Sequence, residues 1–486
     1  MKFPLASRPY TGVSLSPERG AELQALADRV LDATHKEFRN FVHNQRRTLP
    51  PSRWKAVKTV DGVTVYKELI DSSERTLGVL EKRHDDGSRL IPRMLAVGTV
   101  RRSLHDLMLA NVLPDPASML VKSMFTMEEF MDSVVVHEHA AASDGGVDPF
   151  RHTAVKWLVK THSVALNTMI SPRDVVVVMS SGVLQDTQTG YIVMQSVDLT
   201  ECPSLEKTHG IVRSKLSAVT LFQALAPTST EVYASAYMEP NGFTPESITV
   251  ARVASHICST WNTDAYVLNE KLAWALKHHQ HSSRGSPARR SDVDACQHCE
   301  RPSGLTLPGK KRRLKQCDVC NTTVCHRCRV KKVLVHVDDR LHISTTEHRV
   351  CTPCMMRVAN EDARVVMAAA NADRIASRPT TKNGMKTSFS PLRLSQQPSG
   401  TSNTSVSIES ILYTDTTAQS TDTSDTTIAT AQPLPKEALQ YHTLEPSPMD
   451  LYRAMLTLQQ TAQKTFMIAQ DTTNRHVRSR SEAASM

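Results

Sequence analysis

The stretch Trp54-Lys55-Ala56-Val57-Lys58-Thr59-Val60-Asp61-Gly62-Val63-Thr64-Val65-Tyr66 changes the period of the chain. Apolar and polar residues alternate on both sides of Asp61-Gly62, a pair that readily takes the positive φ of a tight turn, so it reads as a β-hairpin. Upstream the period is helical. Ser16-Pro17-Glu18 offers an N-cap with Pro in the first turn, and Leu23, Leu26, Val30, Phe38 and Phe41 recur at near-helical spacing until Pro50-Pro51. Downstream, strand-like runs continue at Thr76–Lys82, Ser133–His139, Thr153–His162, Asp174–Ser180, Tyr191–Leu199, Val212–Leu221 and Thr230–Met238. Short helices are expected after Ser103 and around Met119–Met131. One long closing helix is expected after Thr244-Pro245, with Ile248, Ala251, Ser255, Cys258, Ala265, Leu268, Leu272 and Leu276 as its apolar stripe. Strands between two helices over residues 20–277 make one α+β domain, long enough to bury a core. Residues 1–19 precede it.

His278-His279-Gln280-His281-Ser282-Ser283-Arg284-Gly285-Ser286-Pro287 opens a linker, residues 278–292. Four Cys-x2-Cys pairs follow in residues 293–357: Cys296 and Cys299, Cys317 and Cys320, Cys325 and Cys328, Cys351 and Cys354. A two-residue gap lets both thiolates of a knuckle reach one tetrahedral ion at about 2.3 Å. The gap of four residues between the second and third pairs favours interleaving. Cys296, Cys299, Cys325 and Cys328 then hold one zinc ion, and Cys317, Cys320, Cys351 and Cys354 the other. Such sites have no open position for catalysis; redox chemistry needs only one pair, and His298 and His326 are bystanders inside the knuckles. Two structural ions would each contribute on the order of 10 kcal/mol, so the module should be unfolded without them.

The 486 residues suggest two or three domains. A helix is expected over 358–377. From 387 to 432, 21 of the 46 residues are Ser or Thr, and the segment 378–446 is too polar to fold alone. Ser447-Pro448 caps a last amphipathic helix, 447–470, a docking or dimerisation element with Leu451, Met455, Leu458, Ala462 and Phe466 on one side. Residues 471–486 form a tail. The net charge is +9, and residues 284–357 alone, with 16 basic and 7 acidic side chains, account for it. With eight thiolates and two divalent ions that segment falls to about +5. No apolar stretch suits a signal peptide or a membrane span, so an intracellular protein is expected, in which clustered thiols mean metal. Aromatic residues are 5% of the chain and none accompanies the basic run, which argues against nucleic acid. No nucleophile–base grouping stands out, and an enzyme is not expected.

The interleaved spacing, the four-residue central gap and Arg349-Val350-Cys351 before the last pair resemble a FYVE zinc finger. In that family a basic R-R/K-H-H-C-R-x-C-G run holds phosphatidylinositol 3-phosphate. Here the matching residues are Arg313-Leu314-Lys315-Gln316-Cys317-Asp318-Val319-Cys320-Asn321, so both histidines and the following arginine are replaced. The family's upstream W-x-x-D is absent. The resemblance implies contact with anionic membrane or phosphoinositide through Lys310, Lys311, Arg312, Arg313, Lys315 and Arg349, and a membrane-inserting loop at Leu305 and Leu307. A solvated basic loop or a nuclear-import-like run is the plainer reading.

Residues 20–277 resemble a START-type helix-grip domain, in which a curved sheet wraps on its last helix. The points of likeness are Trp54 entering a hairpin with Gly62, Ser171-Pro172-Arg173-Asp174 opening a central strand, and the closing helix. Together the two resemblances point to the START–FYVE family, and imply an apolar lipid held in a tunnel, peripheral to endosomal or other intracellular membranes. Arg173 and Asp174 read as a strand-entry ion pair or as polar groups of that tunnel. Two other readings stay open: an adaptor whose finger or C-terminal helix binds a protein partner, as in small-GTPase effectors, and a RING-type ubiquitin ligase.

Overall fold

The computed structural model describes residues 5, 7–69, 92–126, 130–139, 148–160, 170–242, 244, 246–282, 295–302, 314–338 and 340–377. The expected strand at Thr76–Lys82, most of the basic run, the Ser/Thr-rich segment and the expected helix 447–470 lie outside them.

Helix α1, Pro17–His43, starts where Ser16 Oγ accepts the Arg19 N–H at 3.2 Å. It buries Leu23, Ala27, Val30, Phe38 and Phe41, and the last two meet the Tyr233 ring at centroid distances of 5.2 and 5.6 Å. The helix stops before the prolines expected to end it. Arg46 and Arg47 adopt positive φ, and this bend lets the Arg47 guanidinium grip the buried Glu231 carboxylate with two bonds, at 2.7 and 2.9 Å. Leu5 and residues 7–15 belong to the same body. The Leu5 N–H donates to Asp132 Oδ2 at 2.8 Å, and Tyr10 packs edge-on against Trp157.

The hairpin forms at the expected place from β1, Trp54–Val60, and β2, Val63–Glu68. Asp61 and Gly62 take φ of 51° and 84°. A Cβ on Gly62 would lie 2.8 Å from the Thr99 carbonyl oxygen, so the turn can sit on β3, Met94–Val100, only with glycine there. The alternation rule misses β3 because Met94-Leu95-Ala96-Val97 is apolar throughout. Helices α2, Leu104–Asn111, and α3, Pro116–Thr126, follow. Then come β4 (Phe130–Glu138), β5 (His152–Lys160), β6 (Arg173–Leu184), β7 (Thr189–Ser196), the short helix α4 (Glu206–His209), β8 (Val212–Arg213), β9 (Lys215–Ala226) and β10 (Ser229–Glu239). One sheet runs β1-β2-β3-β10-β9-β7-β6-β5-β4, with β8 parallel to the start of β6. Strand β10 pairs with β3 from Thr230↔Val100 to Ala236↔Met94.

The pleat gives the sheet two apolar faces. Val176 and Val178 of β6 join the core under α1, while Val177 and Met179 join the core on the other face. The single closing helix is in fact two: α5, Glu246–Cys258, and α6, Asp264–Ser282. Ser259-Thr260-Trp261-Asn262-Thr263 interrupts it. The Ser259 and Thr260 hydroxyls bond back to the His256 and Ile257 carbonyls at 2.6 and 2.8 Å, competing with the helical ladder. Trp261 turns into the core and donates to the Val60 carbonyl at 3.3 Å.

The cysteine module has a small ladder of β11, Lys315–Gln316, with β12, Thr323–Val324. It also has a long hairpin of β13, Arg329–Val337, with β14, Ile343–Cys351. The helix expected at 358–377 begins earlier and breaks: α7 is Thr352–Ala359 and α8 is Ala363–Ser377. Asn360 caps the first, and Asp362 accepts the Arg364 N–H at the start of the second. Helix α8 folds back on the body, with Ala363, Val366 and Met367 in the sheet's core. No helix among the described residues is long and apolar enough to cross a membrane.

Lys156 of β5 is 1% exposed, and its ammonium donates to the Leu113 carbonyl. Burial pulls its pKa from 10.5 down to about 8. Between those values the unfolded chain keeps a proton that the folded chain has released, so stability rises with pH across that window. Lys156→Met is expected to flatten the rise, seen by comparing urea denaturation of the two proteins from pH 7.5 to 10.5; an identical slope would count against the buried charge.

Candidate functional site

A cavity of about 540 Å³ lies between the sheet and α5. Strands supply Val175, Met179, Ile192, Met194 and Met238, and α5 supplies Ile248, Val253 and Ile257. Alternation brings this lining to one side of the sheet, because residues two apart on a strand share a face.

Polar groups are set into the walls. Asn111 donates to the Leu107 and Thr260 carbonyls at 2.8 and 2.7 Å and accepts the Lys122 ammonium at 2.9 Å. Lys160 Nζ and His256 Nδ1 are 2.8 Å apart, linking β5 to α5. Arg173 also lines the cavity. Its guanidinium donates to the Ser171, Pro240 and Asn241 carbonyls and to the Thr244 hydroxyl. Burial and the neighbouring Arg252 guanidinium hold its pKa below the ordinary arginine value. Asp174 does not line the cavity, and Arg173 and Asp174 are not partners. Being adjacent on a strand, they face opposite sides of the sheet. Asp174 is fully buried on the α1 side, where Arg213 meets it with two bonds at 2.9 and 3.1 Å and Trp157 Nε1 donates at 2.7 Å.

The sequence reading did not single out Asn111, Lys122, Lys160 or His256. They come from a helix end, a helix, a strand edge and the closing helix. For Lys122 and Lys160 the signal was a lysine beside apolar runs, which also describes surface residues, and Asn111 and His256 had no signal of their own.

In the module the knuckles interleave. Cys296, Cys299, Cys325 and Cys328 form one group and Cys317, Cys320, Cys351 and Cys354 the other, with the sulfurs of each within 4.8 Å of one another. Cys299 and Cys325 Sγ are 3.7 Å apart, and Cys320 and Cys351 Sγ 3.8 Å. Donors point at the sulfurs: Cys325 N–H to Cys296 Sγ at 3.3 Å, Cys351 N–H to Cys317 Sγ at 3.2 Å, and Arg357 to Cys354 Sγ at 3.5 Å. At Cys296, burial opposes ionisation, but the N–H groups of Cys325, Cys299 and His298 outweigh it and lower the pKa to about 6. Burial and the adjacent sulfurs push Cys328 up to about 12. The second group repeats the conflict, with Cys320 lowered to about 7 and Cys351 raised to about 11. A cation among each set of four sulfurs would remove it, so the donor sets fit a metal ion.

Of the expected membrane-contact residues, Lys310, Lys311, Arg312, Arg313, Leu305 and Leu307 lie outside the described residues. Lys315 is exposed on β11. Arg349 pairs with Glu347 at 3.2 Å. Its backbone exchanges two hydrogen bonds with Asp318, at 2.8 and 2.9 Å, and His348 Nδ1 lies 3.3 Å from the same carboxylate. Asp318 thus ties the second knuckle to β14, at the position where the FYVE motif has arginine.

No protein-family model matches the chain, and no curated protein matches it. Similar solved structures include human STARD10, at 14% identity over 50% of this chain and 84% of that one, with a TM-score of 0.31. Human StAR-related lipid transfer protein 5 is 14% identical over 49% and 94%, at a TM-score of 0.33. The human StarD13 (DLC2) lipid transfer and protein localization domain is 13% identical over 48% and 96%, at a TM-score of 0.27.

Removing the Asp174 carboxylate would strand Arg213 and the Trp157 N–H. Asp174→Ala is expected to cost about 3–5 kcal/mol in urea denaturation. Asp198→Ala, which removes an exposed partner of Lys215, should cost less than about 1 kcal/mol.

Proposed function

We propose that the chain is a non-enzymatic lipid-binding protein that holds one apolar lipid in the cavity under α5. The single observation that carries this reading is the cavity: about 540 Å³, its wall surface mostly apolar, with Asn111, Lys122, Lys160, Arg173, Arg252 and His256 among the many polar residues set into it. That combination suits a ligand with a long apolar part and a small polar one, in the size range of small-molecule sites. The START-like order of elements agrees with it.

The cysteine module, on this reading, holds two structural zinc ions, since four-thiolate tetrahedral sites are characteristic of zinc. The basic run from Lys310 to Lys315 with Arg349 then contacts an anionic membrane or phosphoinositide surface through charge, and Leu305 and Leu307 enter its outer layer. Asp318 places an acidic group where specific recognition of a 3-phosphate would need a basic one, which favours general charge attraction. The protein would act at the face of endosomal or other intracellular membranes. One observation favours a second reading, a finger that binds a protein partner: the FYVE-type specificity residues are replaced, and Asp318 is engaged by β14.

Native mass spectrometry of protein purified from cells that produce it is expected to show two zinc ions and one lipid-sized adduct. Ala236→Phe, which obstructs the cavity, should lose the adduct and keep both ions. Two ions without an adduct, under conditions that retain apolar ligands, would leave the partner-binding reading. Changing Arg312, Arg313 and Lys315 to Glu is expected to abolish sedimentation with vesicles containing phosphatidylserine; undiminished sedimentation would count against membrane contact.

A further inference from the structure

The two halves of the broken closing helix have different tasks. Helix α5 faces the cavity through Thr249, Val253 and Ile257. No described residue of α6 lines it. Instead α6 lies between body and module: Tyr266 and Val267 belong to the core of the sheet, while Leu272, Ala275 and Leu276 pack in one cluster with Cys296, Cys317, Cys325, Cys351 and Cys354.

Buried polar ties fix this contact. The Asn269 side chain is 5% exposed; its amide donates to the Val335 carbonyl at 3.3 Å, and its oxygen accepts the Val335 N–H at 3.0 Å. It therefore satisfies both backbone groups of one residue of β13. Lys271, 2% exposed, donates to the Ala359 carbonyl at the end of α7 at 3.1 Å and pairs with Asp106 of α2 at 2.7 Å. If the module unfolds, Leu272 and Leu276 lose their cover and these polar groups lose buried partners, which destabilises the helix that presents them. The route from α6 to the cavity is short. The connecting turn contributes Thr260 to the lining, and its carbonyl is held by Asn111.

We propose that metal occupancy of the cysteine module and ligand occupancy of the cavity are coupled through α6, so that the metal-loaded module clamps α5 over the ligand. The inference rests on both readings above, of the sulfur clusters as metal sites and of the cavity as a ligand site. Coupling of this kind is reciprocal: ligand must hold metal in the module by the factor that metal holds ligand in the cavity.

The test uses the full chain as purified, its metal content measured, and 11-(dansylamino)undecanoic acid as a fluorescent probe. Chelating the metal is expected to raise the probe Kd at least tenfold and to speed amide exchange in α5 together with the module. Saturating probe should slow metal release to a chelator. Asn269→Ala is expected to bind metal yet show weakened probe binding; should it fail to fold, the wild-type comparison stands by itself. If the module loses protection while α5 exchange stays constant and Kd moves less than twofold, the coupling is overturned. Protein purified without any metal overturns it too. If the loaded protein ignores the probe, the cavity reading fails for such ligands, and α5 exchange alone decides: faster exchange on chelation sustains the clamp, and unchanged exchange ends it.

Discussion

Asn269 gives both hydrogen-bonding groups of its side chain to the backbone of Val335, and much of the architecture depends on that joint. A two-stranded hairpin on its own is at best marginally stable, and β13 with β14 would have one face without a core. Set against α6 it gains one. The same contact leaves α6 with packing on two sides, against the body and against the module. The closing helix is divided accordingly, with α5 facing the cavity and α6 the module. The Ser259–Thr263 turn makes the division, with its Ser and Thr hydroxyls bonding backwards and Trp261 anchoring the corner.

The cavity is a consequence of where α5 is held. Its lining strands carry Val, Met and Ile at alternate positions, which would ordinarily make a solid core. Lys122, Lys160 and Arg173 stand in the walls, and ionic or strongly polar groups need fixed partners when removed from water. They find backbone carbonyls, an amide oxygen and an imidazole nitrogen, neutral groups that pair with their donors and fix their direction. The opposite face of the sheet carries the Asp174–Arg213–Trp157 cluster, which braces the start of β6 from behind.

Much of this was legible in the sequence, for local reasons. Asp61-Gly62 located the hairpin because its turn demands positive φ, and Ser16-Pro17 located α1 because capping is local chemistry. The interleaving of the knuckles followed from the length of a four-residue gap. What stayed hidden was non-local. Strand β3 carries an apolar run without alternation, and its recognition depends on β10, more than a hundred residues away. The break after Cys258 is written in Ser, Thr and Asn, weak helix formers that many helices tolerate. The division of Arg173 from Asp174 follows from the pleat once the strand is known to begin at residue 173. Their partners, at 213, 240, 241 and 244, could not be chosen from spacing. The module's seat on α6 had no signal beyond an asparagine and a lysine on a helix expected to carry a single apolar stripe.

The beginning of the described chain has a practical consequence. Leu5 and Tyr10 lie along the α1 side of the sheet, fastened by Asp132 and Trp157, while the cavity opens on the other side. The sheet's thickness therefore separates this strap from any ligand. A fluorophore or surface attachment joined next to Tyr10 would sit at the back of the sheet, giving a handle for single-molecule or biosensor work that does not cover the cavity. The same anchorage means that trimming the chain past Tyr10 would expose Trp157, so an economical expression boundary lies before the strap and not at the first helix.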